Sequence, residues 1–507
     1  DERKRILLNN IYGVDIDHQA VEVTKLSLLL KVLEGENEQT LNRQLMLFQE
    51  RVLPDLHNNI KCGNSLIGPD YYHGKQMTLL NEDEMFRINV FDWKTEFPEI
   101  MKNGGFDAVI GNPPYGALIT SDEIKYLSEQ FNFQQYSLDT YFLFIEKALT
   151  LLKDSTLLGI IIPNTWLLNL QTDKIRSYIF EETQIEQIVH YRHPVFPKAT
   201  VDTEIVILRK GLPKPKHKML ITIVQKDNKT SQYGINQHKW RESKGKPVNV
   251  FERPEYEPLV KKLCCHSFLD HICLITQGTK PFQTGKGKPR QTKEIVKEKP
   301  FVSETRKDDS FRPLLRGSLI GKWQNRWNNN YWISFGDWLA EPRYSANFDT
   351  VEKIVIRQTG DSLIATLDRH QFVARDNLYT IVSRNEGIRL AYILGLPNSC
   401  LLNWYYQKII NPEQGEALAQ VKRGHIARLP IRTIDFKNQN DKAHHDKMVS
   451  LVDQMLDFHK QLAQAKLPQK KTVLKRQIVA TDRQIDELVY ELYDLTEKEI
   501  KIVESES

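Results

Sequence analysis

Ten residues carry more chemical information than any other stretch of this chain: Phe106-Asp107-Ala108-Val109-Ile110-Gly111-Asn112-Pro113-Pro114-Tyr115. An apolar strand ends in a rigid tetrapeptide. Consecutive prolines have a restricted φ and no backbone donor, so the carbonyls around them can face a ligand rather than a ladder. The Asn112 side-chain oxygen and the Pro113 carbonyl can together accept both hydrogens of an exocyclic amino group. Tyr115 adds a flat face on which a ring can stack. The pattern suits a planar amine, with adenine N6 the best fit. A plain turn leaving a strand would use the same residue types, because Asn and Pro both favour turns.

The elements that must hold this tetrapeptide are legible around it. Residues 11–17 read as a buried strand ending in an acid, and 18–33 as a buried helix carrying Ala20, Val21, Leu26, Leu28, Leu29 and Leu30. Further strands are expected at 61–66, 106–111 and 157–162, with a helix at 138–152. Strands alternating with helices predict an α/β, doubly wound sheet with a largely parallel core. In such sheets ligands sit beyond the carboxyl ends of the strands, so Asp15 and the Asn112–Tyr115 tetrapeptide would face one crevice. A carboxylate at a strand end can accept two hydrogen bonds from ribose hydroxyls, the role expected of Asp15. The alternative is a helix N-cap, which suits Asp17 at least as well. Asn64, in Cys62-Gly63-Asn64-Ser65-Leu66, ends another strand and is either a ligand contact or a turn residue.

These residues resemble the S-adenosylmethionine-dependent amino-methyltransferases, and the whole chain is similar to the gamma-class DNA adenine-N6 methyltransferases. The resemblance is strongest to the methyltransferase plus target-recognition part of type IIG restriction–modification proteins. It implies a Rossmann-like sheet, S-adenosylmethionine as cofactor and double-stranded DNA as partner. Asn112, Pro113, Pro114 and Tyr115 become the catalytic tetrapeptide. Asp15, Ile16 and Asn64 become cofactor contacts, Asn64 standing where many relatives have Asp. Phe196, in Val195-Phe196-Pro197-Lys198-Ala199-Thr200, falls at the position that stacks on the target base opposite Tyr115; a Phe before Pro is otherwise a core residue. Pro163-Asn164-Thr165-Trp166 would shape the floor of the site. One family element finds no counterpart: the Gly-rich loop and first strand ahead of Asp15. The chain is therefore expected to be an N-terminal truncation lacking a central strand, with independent activity in doubt. A parent protein would place an endonuclease domain upstream; no Pro-Asp…Glu-x-Lys nuclease core is evident here, so no cleavage is expected of this chain.

The second half changes character after a basic, proline-interrupted stretch from Pro213 to Lys218. Between Lys280 and Lys299 seven Lys or Arg face two Glu, a bias that suits a phosphate backbone if it is not merely a solvated face. Lys286, Lys288 and Arg290 lie in its glycine-containing part, read as a flexible loop. Arg316, Arg357 and Gln358 follow among aromatic clusters (Trp323, Trp327, Tyr331, Trp332) and carry side chains able to read base edges, position phosphates or brace the fold. From 441 to 503 apolar stripes at helical spacing, Met448-Leu451-Val452-Met455 and Ile485-Leu488-Val489-Leu492, flank Pro468 and predict a helical hairpin. The expected organisation is a partial methyltransferase domain at 1–211, a basic connector at 212–260, an α+β DNA target-recognition domain at 261–437 and a C-terminal helical hairpin at 438–507.

Bulk properties limit the alternatives. The net charge of +5 on 507 residues confines any nucleic-acid surface to a local patch. No apolar run approaches a membrane span, so no membrane partner is expected. Five cysteines without a Cys-x-x-Cys pair argue for a reducing, cytoplasmic setting, and no metal-ligand cluster stands out. Competing functions are methylation of a glutamine side chain or an RNA base, and a DNA-specificity module disabled by loss of the cofactor loop.

Overall fold

The computed structural model describes residues 2–34, 55–73, 82–116, 119–133, 139–196, 202–384, 387–411 and 420–505. It is a mixed α/β protein of two compact units, Asp1–Val250 and Phe251–Ser507.

In the first unit, helix α1 (Glu2–Asn10) leads into a short strand β1 (Gly13–Asp15), helix α2 (His18–Leu33) and strand β2 (Ile60–Cys62). β1 and β2 pair in parallel, Asp15 opposite Cys62. Asn59 ties this sheet to the preceding helix through its buried amide, which donates to the carbonyls of Leu8 (2.8 Å) and Ile11 (2.9 Å). A small core of Leu7, Val21, Leu56 and Ile60 lies beneath. The expected buried helix is buried on one face only: Leu28, Leu29 and Val32 pack on that core, while Val23, Leu26 and Leu30 are exposed.

A six-stranded sheet follows, in the order β3 (Phe106–Gly111), β4 (Leu152–Pro163), β6 (Thr203–Lys210), β5 (Thr183–Tyr191), β7 (Lys218–Val224), β8 (Thr230–Asn236). β3, β4, β5 and β7 run in one direction, with β6 and β8 reversed. Only β3–β4 and β5–β7 are parallel, because β6 runs back between β4 and β5 and reverses both of its pairings. Within the 212–260 stretch, β7 and β8 are the last two strands at one side of this sheet, β8 forming its edge. Helix α3 (Thr140–Leu151) is apolar nearly all round, as a helix buried against a sheet must be. At the other edge β3 pairs with β4 alone among the described residues, and Ile110 is 88% exposed.

The second unit holds two four-stranded sheets. One has the order β9 (Cys273–Gln277), β16 (Leu378–Ser383), β13 (Lys353–Arg357), β14 (Ala365–Asp368) and is antiparallel throughout. The other has the order β10 (Val302–Ser303), β12 (Trp332–Ser334), β11 (Phe311–Leu315), β15 (Val373–Ala374). Helices α4 (Gln439–Gln464) and α5 (Pro468–Leu492) form the expected hairpin, and α6 (Glu497–Ser505) follows. Met448, Val452, Met455, Ile485, Leu488 and Val489 are fully buried in one core with Tyr392 and Trp404. Trp323 and Trp327 serve structure too: Trp323 is buried and its indole donates to Asp482 (3.2 Å), and the Trp327 indole donates to the Tyr331 carbonyl (2.8 Å).

Candidate active site and recognition surface

β3 stops at Gly111 because, one residue on, Pro113 and Pro114 bring no N–H to the ladder. Pro113 is buried, Asn112 exposed and Tyr115 half-buried, so the tetrapeptide is anchored at its middle and open at its ends. The Tyr115 hydroxyl donates to the Ile161 carbonyl on β4 (3.1 Å), with Asn112 Oδ1 a longer second acceptor (3.3 Å). An amide oxygen has two lone pairs, so this contact leaves Asn112 capacity for a second donor. The Thr140 hydroxyl, at the start of α3, donates to the Pro114 carbonyl at 2.5 Å. Partial burial raises the Tyr115 phenol above its ordinary value and keeps it protonated.

Sequence reasoning missed what stands behind Tyr115. The Tyr141 ring meets it edge to face (6.4 Å, 84°), and Tyr141 is held by the Thr165 hydroxyl at 3.2 Å. Beside Thr165, the buried Trp166 indole donates to Glu204 (2.8 Å), and the other Glu204 oxygen lies 3.0 Å from His190 Nδ1. His190 and Glu204 are opposite one another in the β5–β6 register. The available signal was His190 beside Ile188-Val189 and Glu204 beside Ile205-Val206, each an ionisable residue next to an apolar run of its strand. Asp139, next to Thr140, is half-buried, and that desolvation raises its carboxyl above the ordinary range.

Asp15, Ile16 and Asn64 gather at the carboxyl ends of β1 and β2. The N-cap of α2 is Asp17, whose carboxylate accepts from Gln19 N (2.8 Å). Asp15 is exposed: its carbonyl accepts from Gly63 N (2.9 Å), and among the described hydrogen bonds its carboxylate accepts only from Asp17 N (2.8 Å), through Oδ1. Ile16 exposes half of its surface beside it. Asn64 is half-buried: its Oδ1 accepts from Leu66 N (3.0 Å) and its backbone N–H donates to the Asn89 carbonyl (2.6 Å). Gly63 lets the Phe91 ring pack against the backbone after β2, where a Cβ would stand 2.3 Å from it. Phe196 is half-buried, and residues 197–201 after it lie outside the described residues. The described ring partner of Tyr115 is Tyr141, not Phe196.

In the second unit Lys286, Lys288 and Arg290 are exposed and make no ion pair among the described residues. Backbone and side-chain hydrogen bonds tie their loop to the neighbouring chain. Lys288 N donates to the Asp337 carbonyl (2.9 Å), and the buried Gln291 amide donates to the carbonyls of Pro281 and Trp338 (both 2.8 Å). Gly287 (φ +86°) lets the backbone pass where a Cβ would be 2.6 Å from the Trp338 carbonyl. Gln358 and Arg316 approach one turn from two sides. Gln358 N donates to the Asn377 carbonyl (3.0 Å), and Asn377 Oδ1 accepts from Gly317 N (3.1 Å). Gln277, missed in the sequence, donates to the Asp376 carbonyl (2.9 Å) and faces Gln358 Oε1 at 3.4 Å. Arg357 reaches Thr359 Oγ1 at 3.4 Å. Arg316 stacks on Tyr331.

Among the described residues no cluster of three or more His, Cys, Asp or Glu is placed to hold a metal ion, and no helix is long and apolar enough to cross a membrane.

Residues 9–196 match the family model of the Eco57I restriction-modification methylase, and residues 312–431 that of the TaqI-like C-terminal specificity domain. The first range contains every methylase-half candidate, from Asp15 to Phe196; the second contains Arg316, Arg357 and Gln358 but not the 286–290 loop. The type II restriction enzyme and methyltransferase RM.Eco57I of Escherichia coli is 24% identical over 99% of this chain and 55% of its own length. The type II methyltransferase M.TthHB8I of Thermus thermophilus is 34% identical over 21% of this chain and 26% of its own length. The chain spans about half the length of the first curated relatives it matches, 43% and 55%. A solved structure of the type IIL restriction-modification enzyme MmeI shares the fold with a TM-score of 0.53, at 13% identity, over 99% of this chain and 72% of that one.

Proposed function

We propose that this chain, a member of the restriction–modification methyltransferases, methylates adenine N6 within a short recognition sequence of double-stranded DNA, using S-adenosylmethionine. The observation that carries the reading is the Asn112–Tyr115 tetrapeptide at the carboxyl end of β3, clamped by Ile161 and Thr140.

The residues at the ends of β1 and β2 fit a nucleoside cofactor. Asp15 offers an open carboxylate oxygen to ribose hydroxyls, Ile16 an exposed apolar surface to a base, and Asn64 an amide at its edge. Bound there, S-adenosylmethionine would supply an electrophilic methyl group on a sulfonium centre. The chain's own residues handle the other reactant. A target base swung out of the duplex loses its stacking, and the faces of Tyr115 and Phe196 replace it. Asn112 Oδ1 and the Pro113 carbonyl accept the two amino hydrogens and turn the nitrogen lone pair outward. Alignment and preorganised acceptors then lower the barrier without a strong base. Tyr115 is held against Ile161 before any base arrives, so its ring need not be ordered on binding.

The exposed β3 edge, with Ile110 bare and the outer face of α2 uncovered, supports reading the two sheets as halves of one doubly wound sheet with room for a further strand between β1 and β3. The chain at 312–431 would select the sequence, with Lys286, Lys288 and Arg290 on phosphates and Arg316, Arg357 and Gln358 at bases or backbone.

The test is to incubate the chain with methyl-labelled cofactor and duplex DNA, digest to nucleosides and identify the labelled base by mass spectrometry. N6-methyladenine is the expected product; label on cytosine, or in RNA or protein alone, would overturn the reading.

A further inference from the structure

Six arginines of the second unit are neutralised at short range. Arg306, Arg312, Arg343, Arg369, Arg375 and Arg432 each pair with a carboxylate at 3.2 Å or less. Arg316 does not. It is half-buried, has no carboxylate partner among the described residues, and its buried Nε meets no hydrogen-bond acceptor. Instead its guanidinium carbon lies 4.5 Å from the centre of the Tyr331 ring. A stacked guanidinium keeps its edge free for in-plane hydrogen bonds, while the ring restricts the rotations that a solvated Arg retains.

Tyr331 is itself held. Arg375 donates to its hydroxyl at 3.1 Å, and Arg375 is anchored by Asp376 at 3.2 Å. The backbones of all three join one frame: Leu314 N donates to the Tyr331 carbonyl (3.0 Å) and Arg375 N to the Leu315 carbonyl (2.9 Å). Arg316, Tyr331 and Arg375 line a depression of about 320 Å³ whose wall also carries Glu298 and Glu304.

We propose that Arg316 reads a guanine of the recognition sequence, its donor edge presented by the face of Tyr331. This inference rests on the DNA-recognition reading above. A guanine offers two acceptors, O6 and N7, in the plane and spacing of a guanidinium edge. Two carboxylates on the same wall disfavour a phosphate there, whereas a base edge carries no net charge.

The experiment is selection of bound duplexes from a randomised pool by the 507-residue chain, Arg316→Ala and Arg316→Lys, followed by sequencing. The wild-type chain is expected to enrich one motif containing a G·C pair. In Arg316→Ala, preference at that one pair falls on the order of tenfold to a hundredfold while the other positions stand. Arg316→Lys keeps the charge but not the planar fork, and is expected to lose the same preference. If Arg316→Ala binds nothing, Arg316→Lys decides. An unchanged motif with uniformly weaker binding in the Lys variant marks a phosphate contact and overturns the proposal, as does a motif unchanged in both variants. A wild-type chain that enriches no motif overturns the recognition reading itself, and this inference with it.

Discussion

The Glu204 carboxylate accepts the Trp166 indole N–H at 2.8 Å in a site sealed from solvent. It stands between His190 on β5 and the turn after β4 that supplies Thr165, the partner of Tyr141. A buried carboxylate with both oxygens engaged is costly to disturb, because removing it leaves the indole N–H without this acceptor and takes the Glu204 contact from the imidazole. Glu204→Leu is expected to destabilise the first unit by about 3 kcal/mol, and Glu204→Gln by about half that. Denaturant unfolding of both variants checks the order. Equal stability of all three proteins would contradict it.

Tyr115 separates stacking from hydrogen bonding. Tyr115→Phe loses the 3.1 Å bond to Ile161 and is expected to cost about 1 kcal/mol of stability, with methylation retained. Tyr115→Ala removes the face for the base and is expected to lower kcat/KM by roughly tenfold to a hundredfold, the worth of one base–aromatic stack. Steady-state methylation and thermal unfolding of the pair give the two readouts.

Asp15 and Asp17 lie two residues apart and should fail in opposite assays. Asp17 caps α2, so Asp17→Ala is expected to cost about 1 kcal/mol of stability with cofactor affinity little changed. Asp15 contributes one exposed turn contact, so Asp15→Ala is expected to leave stability nearly intact and to weaken S-adenosylmethionine binding roughly tenfold or more. Calorimetric titration beside thermal unfolding tests the crossing; parallel losses in both assays would refute it.

Acid should weaken the second unit through half-buried histidines. Burial, with Lys422 and Arg428 nearby, depresses His425 to about 4, and burial likewise lowers His266 and His459. The unfolded chain takes up these protons near pH 6.5, the folded protein only near pH 4 for His425. Below pH 6.5 the unfolded state therefore binds more protons, and stability falls until the folded pKa is passed. His425→Gln is expected to flatten part of this slope between pH 6.5 and 4, seen in unfolding midpoints measured across the range.

Much of this site was legible because local chemistry dictated it. Consecutive prolines had to end β3, and Asp17 had to cap α2, whatever the rest of the chain did. Pairings between distant segments were not legible. Nothing in residues 203–210 announces that this strand runs back between two others, and the Glu204–His190 contact exists only in that register. The basic loop read as flexible because glycine and lysine dominate it; a single buried Gln291 amide pins it. Arg316 stood out as a basic residue, whereas its stack on Tyr331 depends on backbone bonds between β11 and residues 331 and 375.

The most direct test of adenine methylation is long-read mapping of methyladenine on plasmid DNA from cells expressing this chain, beside an Asn112→Ala control. The expected result is a mark at one short sequence that disappears in the control. DNA without the mark, or a mark that survives loss of Asn112, would contradict the role given to the tetrapeptide after β3.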